Sequence, residues 1–264
     1  MKLLREYIRL LLEQDEAPKV IFTAGGPGSG KSTVIRQLGL SNRLDVINPD
    51  DQYEESLRAE NLPLDRTEVM DQYKPIKVEY LAAQEAGDAV TIAELEPEYL
   101  RLRNILSRNM KLFTQARKAA KSRGQEHAGA GEEFLVDGTG GNYNEIANQV
   151  EKLRSVGYEV AMIYIDVPLE SSIDRNIKRG QEKCSDPNYV DRDSCEAAGE
   201  TWLPGGRRLR DSEVERSWKA VNRNKGQYES LFGDNFFYID ASGNREQFRE
   251  EIDAIAAGVM GFLG

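Results

Sequence analysis

The apolar positions of this chain predict short strands that alternate with helices. Five brief apolar runs are rich in β-prone residues: 20–24, 45–47, 134–136, 160–167 and 236–239. Between them, apolar residues recur every three to four positions, as at Ile146, Val150 and Leu153, which is typical of amphipathic helices. The alternation predicts an α/β fold with a five-stranded, mostly parallel sheet flanked by helices. Because the strands are almost continuously apolar, we expect both faces of the sheet to be buried.

Three segments do not fit this core pattern. Residues 1–17 predict an amphipathic helix, because apolar side chains at every third or fourth position share one face. Residues 52–130 predict a polar, helical insertion, and residues 181–211 predict an irregular lid excursion that holds both cysteines. We therefore expect one domain, 18–264, that carries two insertions. The N-terminal helix either packs on this domain or is a detachable docking segment, similar to the leaders of proteins that are packaged in tailed-phage heads.

Composition and charge exclude several classes of protein. The chain has 264 residues and a formal net charge of −10, which disfavours a protein that coats DNA, since phosphates repel it at long range. No apolar run approaches the roughly 20 residues of a membrane span. Two cysteines exclude a disulfide scaffold, and the single histidine, His127, disfavours a histidine-based triad. These features predict a cytoplasmic protein; packaging in a phage virion stays open, and the oligomeric state is not predicted.

A glycine-rich segment carries the strongest signal. Residues 25–32, GGPGSGKS, fit the phosphate-loop pattern G-x-x-x-x-G-K-[ST] in full, after a predicted strand and before a helical pattern. Glycines let backbone N–H groups turn toward phosphate oxygens, and the helix N-terminus adds partial positive charge. The lysine reaches the β- and γ-phosphates, and the last hydroxyl binds Mg²⁺. The predicted ligands of ATP·Mg²⁺ are Gly25, Gly26, Pro27, Gly28, Ser29, Gly30, Lys31, Ser32 and Thr33.

Aspartates follow two predicted strands, at the edge where a doubly wound sheet binds its ligands. Asp50 comes after the second strand, and we expect it to accept the proton of a substrate hydroxyl that attacks phosphorus. A turn or a helix N-cap is the alternative for Asp50, and its neighbour Asp51 fits a cap or a supporting position. Asp137 ends the third strand and is a candidate ligand for Mg²⁺ or substrate, with Thr139 a weaker candidate.

Basic residues cluster at three places. Arg175 and Arg179 are four positions apart, so they share a helical face where two guanidinium groups can stabilise the charge of a transferring phosphate. Residues 205–210 form a second basic cluster beyond the insertion. Residues 101–124 hold eight bases and no acid, which indicates either a solvated helix face or a surface for a phosphorylated substrate or a nucleic acid.

The lid excursion is framed by Cys184 and Cys195. Without a nearby histidine, these cysteines lack the partners of a structural zinc site. An ATP-dependent enzyme is expected in a reducing compartment, where disulfides are rare. We therefore expect two free thiols, although a local disulfide is geometrically compatible with their spacing.

Several motifs together resemble those of the zeta-toxin-type kinases: GGPGSGKST, VINPDD, LVDGTGG and GYEVAMIYIDVP. The segments GGPGSGKST, INPDD and RNIKRG are also similar to the 5′-kinase domain of phage polynucleotide kinase. The resemblance covers residues 18–53, 133–180 and, more loosely, 207–240. The long segment 52–130 and the insertion 181–206 depart from it, at places where substrate specificity is set.

The resemblance implies a P-loop kinase with a defined set of site residues. Asp50 is the implied base, Lys31 and Ser32 are the implied ligands of ATP·Mg²⁺, and Arg175 and Arg179 are implied to contact the phosphates. The zeta-toxin-type kinases phosphorylate nucleotide sugars, so the resemblance favours a hydroxyl of a small phosphorylated acceptor. Two alternatives stay open: a kinase of polynucleotide 5′-hydroxyl ends, and a non-catalytic nucleotide-binding or virion-associated protein.

Overall fold

The computed structural model describes residues 17–186, 188–203 and 205–264. Its main sheet contains the strands β1 (Lys19–Ala24), β2 (Asp45–Ile47), β3 (Phe134–Asp137), β4 (Glu159–Asp166) and β7 (Phe236–Asp240). Their order is β2-β3-β1-β4-β7, and all four neighbouring pairs run parallel. The predicted α/β fold with a five-stranded parallel sheet is confirmed. Each predicted strand differs from the observed one by at most one residue at either end.

Helices connect these strands and account for most of the remaining chain. They are α1 (Lys31–Gln37), α2 (Leu40–Arg43), α3 (Pro49–Ala59), α4 (Arg66–Ala86), α5 (Ala89–Ala130), α6 (Tyr143–Ser155), α7 (Leu169–Gly180), α8 (Arg192–Ala197), α9 (Asp211–Phe232) and α10 (Arg245–Leu263). A short 3₁₀ turn, Gly233–Asn235, precedes β7. The segment 52–130, expected to be helical, lies within α3, α4 and α5 and the turns between them.

The chain divides into two compact units. The sheet unit contains the described part of residues 1–47 together with Ser122–Pro168 and Ser217–Gly264. The helical unit contains Asn48–Lys121 and Leu169–Arg216. Each unit draws on distant parts of the sequence, so neither is a continuous stretch of chain.

Helices cover both faces of the parallel sheet in the sheet unit. On one face, buried strand residues such as Ile163 pack with Val34 of α1 and Ile252 of α10 in a single apolar cluster. On the other face, the rings of Phe22 on β1 and Phe232 on α9 have centroids 6.0 Å apart. Residues 160–165 of β4 are all buried, which explains why the strand pattern is continuously apolar rather than alternating.

The helical unit has a small core of its own. Tyr53 and Leu57 of α3 pack with Leu112 and Ala116 of α5, and all four side chains are buried. The ring of Tyr53 meets Phe113 nearly edge-on, with centroids 5.4 Å apart. Residues four apart on each helix share a face, so one stripe of α3 is fixed against one stripe of α5.

The lid excursion is more ordered than its sequence suggests, and its cysteines are paired. Residues 181–211 were expected to be irregular, yet they contain the antiparallel strands β5 (Lys183–Cys184) and β6 (Trp202–Leu203) with α8 between them. This fold brings the Cα atoms of Cys184 and Cys195 to 5.7 Å, within the range that a disulfide spans, and the two residues form one. The expectation of two free thiols was therefore wrong.

The two ends of the excursion meet at one place within the helical unit. The backbone N–H of Gly206 donates to the carbonyl oxygen of Arg179 at 2.8 Å. A Cβ atom added at Gly205 would lie only 2.1 Å from the carbonyl oxygen of Gly180. Glycine at position 205 thus permits a backbone contact that no other residue would allow.

The N-terminal segment and the apolar character of the helices were also predicted from the sequence. The predicted N-terminal helix, residues 1–17, lies almost wholly outside the described residues. Among the helices that the structure does describe, none combines the length and the apolar character that crossing a bilayer requires.

The turn after β3 provides a test of the packing around the sheet edge. Gly140 has a φ of +75°, and a Cβ atom added there would lie 2.6 Å from the Cβ of Ala24. Strain and overlap together predict that Gly140→Ala lowers the free energy of unfolding by about 1–3 kcal/mol. Denaturant titration measures this change.

Gly226→Ala is the matched control. Gly226 lies within α9, and an added Cβ would have no neighbouring atom within 4 Å. Alanine is the better helix former, so we expect this variant to gain up to about 1 kcal/mol. Equal destabilisation by both substitutions would contradict the described packing of Gly140.

Candidate active site

The phosphate loop, residues 25–30, connects β1 to α1 at the carboxyl edge of the sheet. β1 lies between β3 and β4, so the chain winds in opposite directions on its two sides. Ligands of doubly wound sheets bind beside such a strand. Gly28 (φ +75°) and Gly30 (φ +99°) adopt left-handed backbone conformations, which other residues reach only with strain.

The loop is held by close backbone approaches to its neighbours. The Gly25 N–H donates to the carbonyl of Thr139 at 3.0 Å, and the Ser29 N–H donates to the carbonyl of Gly26 at 3.1 Å. A Cβ atom at Gly25 would lie 2.6 Å from Ser29 Oγ and 2.9 Å from the carbonyl oxygen of Ile165. Any residue larger than glycine at position 25 would therefore clash with these atoms.

Lys31 is the first residue of α1 and carries the positive charge of the loop. Its Nζ donates to the carbonyl oxygens of Gly25 (2.7 Å) and Gly26 (3.3 Å), and the residue is partly buried. The ammonium group thus lies along the loop rather than in solvent. Ser32 and Thr33 follow it in the first turn, where Ser32 is exposed.

Asp137 closes β3 beside the loop and has a fixed orientation. Thr23 lies opposite it in the parallel register, and Thr23 Oγ1 donates to Asp137 Oδ1 at 2.7 Å. The same hydroxyl oxygen accepts from the Gly138 N–H at 3.2 Å. Both Thr23 and Asp137 are buried, so the carboxylate is held by the strand pairing itself. Thr23 was not identified from the sequence, because it reads as part of an apolar strand.

The turn that follows Asp137 is anchored by α9. Tyr228 Oη donates to the carbonyl of Gly140 at 2.8 Å, and Asn224 Nδ2 donates to the same oxygen at 3.1 Å. Burial raises the pKa of Tyr228 to about 12, so its hydroxyl stays a donor at physiological pH. Thr139 lies in this turn with an exposed side chain, while its carbonyl oxygen accepts from the phosphate loop.

A cavity of about 250 Å³ flanks the loop between α1 and α10. Its lining residues are Thr33, Arg36, Gln37, Arg245, Phe248 and Arg249. Phe248 also borders Gly30, where an added Cβ would lie 2.9 Å from the ring. An aromatic ring among guanidinium groups is a surface that suits a planar base or an anionic group.

Asp50 lies in the helical unit, in the first turn of α3. The N-cap of this helix is Asn48, whose side-chain oxygen accepts from the Asp50 N–H at 2.9 Å. The alternatives that made Asp50 or Asp51 the cap were therefore wrong. Arg207 Nη2 donates to Asp50 Oδ2 at 2.6 Å, so the candidate base is paired with a residue of the second basic cluster.

The two basic clusters of the lid meet at a second acid of α3. Arg179 Nη2 donates to Glu54 Oε1 at 2.6 Å, and Arg207 Nε lies 3.7 Å from the same oxygen. Arg175 lies one turn before Arg179 on α7 and is partly buried. Asp50 and Glu54 are four residues apart, so one face of α3 presents both acids. The structure thus joins Asp50 to Arg179 through Glu54 and Arg207.

Tyr53 and Arg66 complete this cluster, and sequence reasoning missed both. The Arg207 guanidinium lies over the Tyr53 ring, 5.5 Å from its centroid. Arg66 lies close to the Tyr53 side chain, whose hydroxyl donates to Asn109 Oδ1 at 2.9 Å. Burial raises the pKa of Tyr53 although both arginines act in the opposite direction. The i, i+3, i+4 spacing of Asp50, Tyr53 and Glu54 indicates that these side chains share one helix face. No local sequence pattern points to Arg66.

The basic segment 101–124 is partly neutralised by acids. Arg101 pairs with Glu98 at 2.6 Å, and Arg108 Nε donates to Glu60 Oε2 at 2.5 Å. In the sheet unit, Arg123 pairs with Asp45. Three of the eight bases therefore already have carboxylate partners, which reduces the positive charge that this segment offers to a phosphate backbone.

The sheet order, the glycine-rich loop and the lysine at the start of α1 define a P-loop α/β protein. The chain belongs to the AAA domain family, whose model matches residues 20–201. A search of curated proteins gives no match.

Solved structures extend the similarity to most of the chain. A "putative kinase" from Chloroflexus aurantiacus J-10-fl is 13% identical, with a TM-score of 0.52; the match covers 94% of this chain and 100% of that one. This likeness shows the shared fold. A gluconokinase from Sinorhizobium meliloti 1021 (14% identity, 94% and 97% covered) has a TM-score of 0.42. A deoxyadenosine kinase from M. mycoides with bound dATP (14% identity, 91% and 99% covered) has a TM-score of 0.40.

Proposed function

We propose that this protein is an ATP-dependent kinase that transfers the γ-phosphate of ATP to a hydroxyl of a small phosphorylated acceptor, such as a nucleotide sugar. The observation that carries the proposal is the complete phosphate loop between β1 and α1, with the Lys31 ammonium held along it. The description of the similar structure from Chloroflexus aurantiacus as a "putative kinase" supports the same reaction class.

In this proposal the sheet unit binds the nucleotide. Residues 25–33 hold the phosphates through loop N–H groups, and Lys31 neutralises the β- and γ-phosphates. The flanking cavity with Phe248 is suited to the base. The oxygen donors of Ser32 and the oriented Asp137 carboxylate fit Mg²⁺, which prefers oxygen ligands. When bound, Mg²⁺ neutralises charge on the transferring phosphate.

The helical unit supplies the base. The acceptor oxygen forms a bond to the γ-phosphorus, the bond from that phosphorus to the bridging oxygen breaks, and ADP leaves with the electron pair. The hydroxyl proton passes to the Asp50 carboxylate. Arg175 and Arg179 stabilise the negative charge that spreads over the transferring group. Intact Lys31, Ser32 and Asp50 disfavour a non-catalytic role.

A small acceptor is favoured over a polynucleotide end by charge. The net charge of −10 opposes long-range attraction of nucleic acid, and acids already pair with several bases of segment 101–124. Aromatic residues for stacking bases are scarce there, since Phe113 is the only one. The likeness to the zeta-toxin-type kinases favours nucleotide sugars as the acceptor class.

Lys31→Ala tests the nucleotide site. Loss of the ammonium removes the charge that neutralises the phosphates, so ATP turnover should fall by about 10² or more while the fold survives. Steady-state turnover and circular dichroism measure the two effects. Lys152→Ala, an exposed lysine in the last turn of α6, is the control and should retain activity. Wild-type turnover by the Lys31 variant would contradict the assignment.

Asp50→Asn tests the base. The amide keeps the shape of the side chain but no longer accepts a proton, so phosphoryl transfer should fall by about 10² or more. ATP affinity, measured by isothermal titration, should change little. Asp51→Asn is the matched control, since Asp51 is the exposed neighbour in the same turn. Equal losses in both variants would place the base elsewhere.

A transfer screen with γ-labelled ATP tests the acceptor class. Nucleotide sugars, small phosphorylated metabolites and 5′-hydroxyl oligonucleotides are the candidates, and we expect the label in a small phosphorylated compound. Labelled oligonucleotides, with binding that weakens in salt at a log–log slope near −0.7 per phosphate contact, would instead identify a polynucleotide kinase. If neither label transfer nor ATP turnover is detected, the protein is a nucleotide-binding protein without kinase activity.

A further inference from the structure

Arginines outnumber acids around one face of α3 in the helical unit. Asp50 and Glu54 lie on that face, and Arg66, Arg179 and Arg207 contact these acids or the tyrosine between them. Three guanidinium groups and two carboxylates thus lie close together on this face of α3.

Arg207 is well enclosed, more so than Arg179. Its side chain is only 11% exposed, with one face over the Tyr53 ring and Nη2 bonded to Asp50. Its Nε is buried and has no hydrogen-bond acceptor among the described residues. The acid Glu54 is near, at 3.7 Å, but beyond hydrogen-bond distance.

Arg66, near the same tyrosine, presents a second donor that lacks an acceptor among the described residues. It is the first residue of α4, and its guanidinium lies close to the Tyr53 side chain. Its Nε is buried and, within the described part of the chain, unpaired; the same holds for Oγ1 of Thr67, the next residue. A buried donor without a partner costs about 1–3 kcal/mol, and a ligand that accepts from these groups would recover that cost.

These donors match one ligand chemistry. A phosphate group offers several acceptor oxygens and negative charge, and arginine binds it through two parallel N–H groups. Asp50 accepts from only one N–H group of Arg207, at Nη2, through its Oδ2. An incoming phosphate and Asp50 therefore compete for one guanidinium.

We propose that Arg66 and Arg207 form a phosphate-binding site for the acceptor, and that phosphate binding there displaces Asp50 from Arg207 and releases the carboxylate to act as the base. The second half of the proposal rests on the proposed kinase function, and the first half does not. The site selects acceptors that carry a phosphate group, and it couples their binding to exposure of the base.

Inorganic phosphate binding in a Lys31→Ala background tests the site without any turnover. The background variant removes the lysine of the phosphate loop and so weakens phosphate binding there. The difference between this background and the further variants then reports the second site. Phosphate titrations followed by thermal midpoint and by ³¹P NMR, with chloride at equal ionic strength as reference, give the affinity. Failure of the kinase proposal would leave this measurement unaffected.

We expect Arg66→Gln and Arg207→Gln, each in that background, to weaken phosphate binding at least about tenfold. Arg101→Gln, an exposed arginine of the same unit that pairs with Glu98, is the matched control and should bind as the background does. Arg207→Lys keeps the charge without the two-pronged donor geometry and should give an intermediate affinity. Unchanged phosphate affinity in the two glutamine variants would overturn the proposal.

Asp50→Asn in the same background separates competition from a merely structural role. Removing the competing carboxylate should tighten phosphate binding, by about threefold or more. A structural role for the Asp50–Arg207 pair predicts weaker binding instead, because Arg207 would lose its anchor. Weaker or unchanged affinity in this variant would therefore overturn the displacement step, even if the glutamine variants fold poorly.

Discussion

Parallel pairing of β1 with both β3 and β4 is the constraint on which the sheet unit depends. Because all three strands run the same way, their carboxyl ends meet at one edge. The phosphate loop, the Asp137 carboxylate and the carbonyl of Ile165 lie at that edge as a result. The loop is shaped by its contact with Ile165 and by the bond from Gly25 to Thr139, so its geometry comes from the neighbouring strands as much as from its own glycines.

The helical unit solves a different physical problem, which is how to keep several charged groups close together. Asp50 and Glu54 each pair with an arginine, while Tyr53 between them provides an aromatic face and a hydroxyl. Tyr53 is itself held by Asn109, so the charged cluster is tied to the apolar contact between α3 and α5. The Tyr53 side chain thus contributes both to the packing of α3 against α5 and to the charged cluster.

Sequence patterns predicted the sheet unit well because its signals are local. A buried parallel strand is a short apolar run, and the phosphate loop is a contiguous motif, so β1, β3 and β4 could be placed within a residue. The partners of Asp50 could not be found this way: Arg207 lies 157 positions away, and Arg66 carries no local signal. Whether the cysteines pair depended on the β5–β6 hairpin, whose two-residue strands are too short to show periodicity. The roles of the site residues remain predictions.

The closed stem of the lid excursion has a consequence for how this region can vary. Gly206 meets Arg179 through a backbone hydrogen bond, so Arg179 and Arg207 are neighbours in space although a whole subdomain separates them in the chain. The disulfide lies within that subdomain rather than across the stem. The position of the two arginines thus does not depend on the length or composition of the segment between Gly180 and Gly205. A change of length within the excursion would therefore leave Arg179 and Arg207 beside one another, held by this backbone bond.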